Sequence, residues 1–374
     1  MKSCKIIGPK AYINLNRCRS NLMAIQKLVG EKKLLCVVKA NGYGHGSIQI
    51  AKSIANIKNV QFAVFSIDEA LELRGAKIKN EILVFSKLQK NNIELAYEED
   101  IILNISSFDD IKHIESFHLK NKVSPKYHLK FDTGMTRLGF DLDDAEAIYK
   151  SLSKSLHPYI DGVYTHFATA DEGDLSYAEK QLNDFKMVIE KVENFGMKFK
   201  FIHCSNSGAV LNLGKSYFNM VRVGMLLYGA LPSNEVSDSI GVKPVMSFCG
   251  SIVNLREVKK NTPVSYGGVY KTASDTNIAV IQTGFADGFP RPWFEEGYVI
   301  YNGQKFKIAG RVCMDQLMVD FGNVSPELGD DVLFFGENQI GNLPVEIIAD
   351  QINSTPYVLF TAVGGRTKLI YIDE

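Results

Sequence analysis

Lys39 directly follows the apolar run LLCVV (34–38). A low-dielectric setting disfavours an ammonium and lowers its pKa toward an amine that can condense with an aldehyde. A single lysine ending a strand can equally turn its charge outward to water. Lys39 has company of the same kind. Lys130 lies in YHLKF (127–131), His166 closes IDGVYTH (160–166), Asn206 and Ser207 follow FKFIH (199–203), and Arg222 lies in NMVRVG (219–224). Gathered at one place, these residues supply two lysines, an arginine, a histidine and small hydrogen-bonding groups. Gly42, Gly44 and Gly46 lie just beyond Lys39. They make a weak dinucleotide fingerprint, since no ribose-binding acid is evident, and a flexible turn is an equal reading.

Those residues sit where a particular architecture would converge them. Up to about residue 240, short apolar runs alternate with amphipathic stretches, the pattern of parallel strands joined by crossover helices. The remaining strand candidates are FAVFS (62–66), EILVF (81–85) and IILNI (101–105), making eight in all. Stretches 68–77 and 177–196 read as helices, the second stopped by Gly196. Eight strands suggest an α/β fold of the (β/α)8 TIM-barrel type, whose chemistry gathers at the C-terminal strand ends; a doubly wound open sheet also fits the pattern. Beyond residue 245 the texture becomes all-β, with turn signals at Tyr266-Gly-Gly, Asp287-Gly, Asn302-Gly and Gly329-Asp-Asp. The expected domains are a barrel over 11–244 and a C-terminal β domain over 245–374, with residues 1–10 able to cross over and pair with the β domain.

Composition narrows the function classes. With 374 residues, of which 45% are hydrophobic and 22% charged, the chain can bury a large core. Lys plus Arg and Asp plus Glu are both 42, so no net field favours nucleic acid or an acidic membrane surface. No apolar segment has spanning length and the start lacks an export signal, which implies a cytoplasmic protein. Six cysteines (Cys4, Cys18, Cys36, Cys204, Cys249, Cys313) form no CxxC pair, as expected of reduced thiols, and the seven histidines show no ligand spacing, so no metal is expected.

VVKANGYGHG (37–46) resembles the pyridoxal 5'-phosphate attachment segment of alanine racemases. The resemblance continues through HLKFDTGMTRLGF (128–140), THFATAD (165–171), NSG (206–208), VRVGMLLYG (221–229), SYGG (265–268), ADGFPR (286–291) and GRVCMDQLMVD (310–320), nearly the whole chain. It implies a homodimer that interconverts L-alanine and D-alanine, an isomerase supplying D-alanine for peptidoglycan in the cell wall. By the resemblance, Lys39 holds the cofactor and is the base on one face of the substrate, and Tyr266 of the partner subunit is the base on the other. A tyrosine is a weak acid in water, with a pKa of about 10, so such a base needs cationic or hydrogen-bonding neighbours, which His166 and Arg222 could supply. Arg222 matches the arginine at the pyridine nitrogen; being permanently protonated, it donates there and leaves the nitrogen without a proton. Tyr43, Ser207, Gly224, Met225 and Tyr357 match the phosphate shell, and His166 and Asn206 complete the cofactor site. Arg137 and the Met314 backbone amide match the groups that hold the substrate carboxylate. Lys130 matches a lysine that is carbamylated in several family members, and Asp171 and Arg311 match an outer layer of the access channel, although each alone reads as a surface ion-pair residue.

Two departures stand out. Phe285 occupies a position where the family commonly has a gate tyrosine, and the tail VGGRTKLIY (363–371) lacks the usual Arg-Val-Pro-Arg ending. Phe285 leaves open a broad-specificity or serine racemase of the same fold. Arg222 speaks against a decarboxylase, and the β domain against a single-domain cofactor-binding protein.

Overall fold

The computed structural model describes residues 7–373. Cys4 and most of the segment expected to cross over lie outside them. The first strand, β1 (Lys10–Asn14), is followed by eight strands that pair in parallel: β2 (Lys33–Val37), β3 (Val60–Val64), β4 (Ile82–Val84), β5 (Ile101–Ile105), β6 (Tyr127–Lys130), β7 (Ile160–Tyr164), β8 (Phe201–His203) and β9 (Met220–Val223). Their order is β8-β7-β6-β5-β4-β3-β2-β9. The backbone N–H of Arg222 donates to Ser205 O at 2.9 Å and draws β9 toward the end of β8, so the sheet is nearly closed. All eight overlap the expected apolar runs, β3 beginning two residues before its run, and the barrel replaces the open doubly wound sheet as the architecture. Strands such as β3 and β5 are buried at every position, which is why they read as continuous apolar runs rather than alternating ones.

The connecting helices carry their own start and stop signals. Helix Ile67–Gly75 opens on a capping box in which Ser66 Oγ accepts the Glu69 N–H while the Glu69 carboxylate accepts the Ser66 N–H. Helix Ser176–Asn194 buries Ala178, Leu182, Phe185, Val188, Ile189 and Val192 along one stripe, and the chain leaves it through Gly196 at φ 90°. No helix among the described residues is long and apolar enough to cross a membrane. Cys18, Cys36, Cys204, Cys249 and Cys313 are free thiols.

The C-terminal part is mainly strand, built on β10 (Met246–Val258). Its first half pairs with β1 and with Asp331–Asn338, and its second half pairs with Thr276–Ile281 after a register shift at Ile252/Asn254. β1 also runs parallel to Lys368–Ile372, so the crossing segment continues past residue 10 to Asn14. Asn302 (φ 48°) and Gly303 (φ 76°) join Tyr298–Tyr301 to Gln304–Lys307 as the expected hairpin. Asp287-Gly288 is not one. It lies in a short 3-10 turn, where the buried Asp287 carboxylate accepts the Gly284 N–H and two N–H groups of Arg366. Those demands outweigh the local hairpin preference.

Lys10, almost fully buried, seals β1 to this sheet by pairing with Asp331 at 2.7 Å and Ser251 Oγ at 3.0 Å. Removing one partner of a buried pair leaves the other charge without its counterion, at a cost of roughly 3–5 kcal/mol. Asp331→Ala is therefore expected to lower the unfolding free energy obtained from urea titration by an amount in that range, and an unfolding free energy within error of the native one would contradict this role.

Candidate active site

A cavity of about 440 Å³ opens at the C-terminal ends of the barrel strands. Of the residues singled out in the sequence, Lys39, Tyr43, Lys130, Arg137, His166, Asn206, Ser207, Arg222, Gly224 and Tyr357 line it together. Met225 does not: its side chain is fully buried in the core at the start of a 3-10 turn, leaving only its backbone beside Gly224. Tyr266 and Met314 lie elsewhere, on the β module, 65% and 56% exposed.

Lys39 lies two residues beyond the end of β2 and is followed by a left-handed turn. Ala40, Asn41, Gly42 and Tyr43 have φ of 50°, 53°, 62° and 48°. Three of them carry a Cβ, and each such residue costs about 1–2 kcal/mol in this region. The surroundings hold the strain in place. Glu69 accepts the Ala40 N–H at 2.7 Å, Asn41 Oδ1 accepts the Ser47 N–H at 3.2 Å, and buried His45 turns Nδ1 to the carbonyls of Gly42 and Tyr43. Gly44 lets the turn press on the C-terminal helix Pro356–Ala362, since a Cβ there would lie 2.3 Å from Phe360 O. Among the described residues the Lys39 Nζ makes no hydrogen bond or ion pair. Its pKa lies below the usual lysine range, through burial first and then the Arg137 cation, against the opposing pull of Glu69.

Arg222 is buried and held in one plane. Nη1 donates to His203 Nδ1 at 2.9 Å and His203 O at 3.2 Å; Nη2 donates to Thr165 O and Cys204 O, both at 2.8 Å, and to His166 Nδ1 at 3.1 Å. A guanidinium has five N–H donors. Those on Nη1 and Nη2 are taken, and Nε–H has no acceptor among the described residues, so it is the donor left for a ligand. Burial lowers the Arg222 pKa to about 10, which still leaves it a cation near neutral pH. The contact to His166 Nδ1 puts that ring's proton on Nε2. His166 is held neutral, well below its ordinary pKa, by burial and then by Arg222, Lys130, Arg137 and Lys39.

Arg137 sits on a loop tied to one carboxylate. Asp132 accepts the backbone N–H groups of Gly134, Met135, Thr136 and Arg137 at 2.8–3.1 Å. Burial acts to raise the Asp132 pKa, but these four donors together outweigh it and hold the carboxyl below its usual range. Lys130, nearly buried, lies 5.1 Å from the centre of the Tyr164 ring. Its pKa falls to about 8, from burial first and then the Arg222 and Arg137 cations.

The opposite wall is made of phenols. Tyr43 and Tyr357 pack edge to face at 5.6 Å, and burial raises both pKa values, Tyr357 to about 12, so both remain hydrogen-bond donors. Gly224 leaves room for the Tyr43 hydroxyl, which would lie 2.9 Å from a Cβ there, and its N–H donates to Ser207 Oγ at 3.2 Å. Glu69, Tyr164 and Phe65 belong to the site although none was singled out in the sequence. The Ser66–Glu69 capping box was the available signal for Glu69.

On the β module, Tyr266, Arg311, Met314 and Phe285 form one exposed cluster. Ser265 Oγ donates to Arg311 O, and the Phe285 and Ala286 N–H groups donate to Cys313 O and Met314 O at 3.1 Å. Arg366 clamps the cluster from behind, bridging Asp287 and Asp315. Asp171 and Arg311, which read individually as surface ion-pair residues, make no ion pair among the described residues. Asp171 is half-buried near Tyr357, and Arg311 packs beside Gly267.

Comparison with known proteins agrees with this geometry. Family models for the alanine racemase N-terminal domain and C-terminal domain match residues 13–232 and 245–371. The alanine racemase of Desulforamulus reducens is 37% identical over 366 residues, covering 97% of this chain and 98% of that protein. The crystal structure of alanine racemase from D-cycloserine-producing Streptomyces lavendulae superposes with a TM-score of 0.93 at 29% identity, covering 99% of this chain and 98% of that one. A Clostridium difficile 630 alanine racemase in complex with cycloserine superposes at 0.88 with 29% identity, covering 99% and 96%. With its barrel, its β module and both family domains in order, the chain belongs to the alanine racemase family, whose members are isomerases.

Proposed function

We propose that the protein interconverts L-alanine and D-alanine with pyridoxal phosphate held at Lys39, and that a second copy of the chain completes each site. The carrying observation is the charge of the cavity: Lys39, Lys130, Arg137 and Arg222 converge there, and among the described residues no carboxylate lines it. A phosphate ester and a substrate carboxylate are the anions that such a lining suits. The donor set fits the cofactor as well, with an amine beside an open cavity, phenols and a serine around Gly224, and one free arginine N–H. Bound there, pyridoxal phosphate supplies an aldehyde for covalent attachment of the amino acid and a ring that acidifies its Cα–H.

The chain's residues then divide the work. Tyr43, Ser207, Tyr357 and the backbone at Gly224 and Met225 hold the phosphate, with His166 and Asn206 beside the ring. Arg222 donates to the ring nitrogen and leaves it unprotonated, which weakens electron withdrawal and restrains protonation at sites other than Cα. Arg137 and the backbone amide of Met314 of the partner subunit hold the substrate carboxylate. Lys39 exchanges a proton with Cα on one face, and Tyr266 of the partner subunit does so on the other. When one takes the proton the other supplies one, so the configuration inverts and the pair swaps protonation states. The exposure of Tyr266 and Met314 on the β module supports their donation to another subunit. The domain division at about residue 244 is proposed on the change of sequence texture there, a cytoplasmic location on the lack of an export or spanning segment in the sequence, and supply of D-alanine to peptidoglycan on the resemblance. Phe285, with no gate hydroxyl and its ring 5.7 Å from the Arg291 guanidinium, leaves serine and larger amino acids as further substrates.

Three outcomes are expected. Incubation of the holoprotein with L-alanine yields D-alanine on chiral chromatography, and no conversion sinks the proposal. Tyr266→Phe keeps its cofactor but loses at least about 100-fold in turnover, whereas Lys39→Ala loses the covalently bound cofactor. Mixing these two inactive variants under subunit exchange restores roughly a quarter of native activity, because half the dimers are hybrids with one intact site; exchange without recovery contradicts shared sites.

Lys130 generates a pH dependence. Its folded-state pKa of about 8 lies below the ordinary 10.5. Between those values the unfolded chain holds the proton and the folded chain does not, so stability rises with pH through that window. In carbon dioxide-free buffer Lys130→Met is expected to remove this rise in the urea midpoint, and an unchanged slope argues against the assignment. The same depressed pKa leaves an amine fraction able to take up carbon dioxide, and the resulting carbamate would turn an anion toward Arg137.

A further inference from the structure

Arg222 leads into a chain of buried groups that the proposed reaction does not use. His203, which accepts from Arg222 at Nδ1, places its Nε2 2.9 Å from Nδ1 of His128. His128 Nε2 in turn faces Asp161 Oδ2 at 4.0 Å, and both of these buried atoms lack a hydrogen-bond partner among the described residues. The path crosses the barrel interior from β9 through β8 and β6 to β7. It is a fitted path: His203 stacks on Tyr164 with centroids 4.8 Å apart and planes within 3°, and a Cβ at Gly162 would lie 2.8 Å from His128 Cε1.

A guanidinium only donates. Its bond to His203 therefore needs a lone pair on Nδ1, which puts that ring's proton on Nε2. His128 must then accept at Nδ1 and carry its own proton on Nε2, aimed at Asp161. One assignment satisfies both hydrogen bonds, and the Asp161 carboxylate, 4.0 Å beyond, lies at the end that favours it. Burial is the first cause holding both rings below their ordinary pKa, with Arg222 adding to it at His203 and Asp161 opposing it at His128. With the opposite tautomer of His203, two N–H groups would face each other at 2.9 Å.

We propose that His128 and Asp161 are positioning residues that fix the tautomer of His203 and thereby hold Arg222 in the plane that leaves its Nε–H for the ligand. This rests on the assignment of Arg222 to the cofactor ring. Lys200, 3.8 Å from Asp161 Oδ1 at the barrel rim, keeps a cation beside the carboxylate.

Histidine-selective nitrogen labelling of the pyridoxal phosphate-loaded enzyme reads the tautomers directly and needs no variant. Both His203 and His128 are expected to carry the proton on Nε2, and a proton on His203 Nδ1 overturns the proposal. Asp161→Asn is expected to lower kcat roughly 10-fold with KM and cofactor content unchanged, and to shift the His128 and His203 nitrogen resonances. Asp161→Glu, which keeps the anion, restores most of the loss. An Asp161→Asn enzyme with native kcat and native resonances also overturns it. Cofactor content on the same samples separates the two levels of failure: a chain that takes up no pyridoxal phosphate removes the active-site reading and this proposal with it, whereas a loaded enzyme with the wrong tautomer removes this proposal alone.

Discussion

Four cationic side chains share one partly desolvated cavity with no carboxylate in its lining among the described residues, and most of the barrel mouth is organised around tolerating that crowding. Burial first, and then the neighbouring like charges, disfavour the ammonium forms, and the depressed pKa values of Lys39 and Lys130 are the direct expression of it. The carboxylates that could have neutralised them serve the backbone instead. Asp132 holds the Arg137 loop by four N–H groups, and Glu69 holds the chain at Ala40, Phe65 and Ser66. Arg222 is anchored by carbonyls and imidazoles, which accept its hydrogen bonds without cancelling its charge. The positive field is thus kept for an incoming anion.

The turn after Lys39 couples this field to the rest of the molecule. Its left-handed residues are pinned by contacts from two regions far apart in sequence, the Ser66–Glu69 cap and the C-terminal helix Pro356–Ala362. Gly46 extends that contact, since a Cβ there would collide with the Tyr371 hydroxyl. The same C-terminal segment places Tyr357 in the cavity wall, and Arg366 braces the loops that carry Phe285 and Met314. The β module therefore has two faces of consequence: one packs on its own barrel, and the other is exposed with Tyr266 and Met314 at its surface.

Much of this was legible along the chain because barrel strands bury both faces and so read as uninterrupted apolar runs, each closed by the polar residue that reaches the mouth. Lys130, His166 and Arg222 could be picked out for that reason. Asp287-Gly288 shows the limit: a local hairpin signal gave way to the distant Arg366, whose pairing no local rule contains. Asp171 and Arg311, each of which alone reads as a surface ion-pair residue, make no ion pair among the described residues, because a charge in a sequence says nothing about which counterion lies within reach.

The sequence by itself determined the strand succession, the change of texture near residue 245 and the residue types available for chemistry. These depend on burial patterns and turn preferences that act over a few residues. Only the tertiary structure decided which groups meet: that Glu69 secures the turn beside Lys39, that Arg222 is left with one free N–H, and that His203, His128 and Asp161 line up behind it. Hydrogen-bond direction and desolvation act through space over a few ångströms, and barrel closure brings together residues that are tens to hundreds of positions apart along the chain.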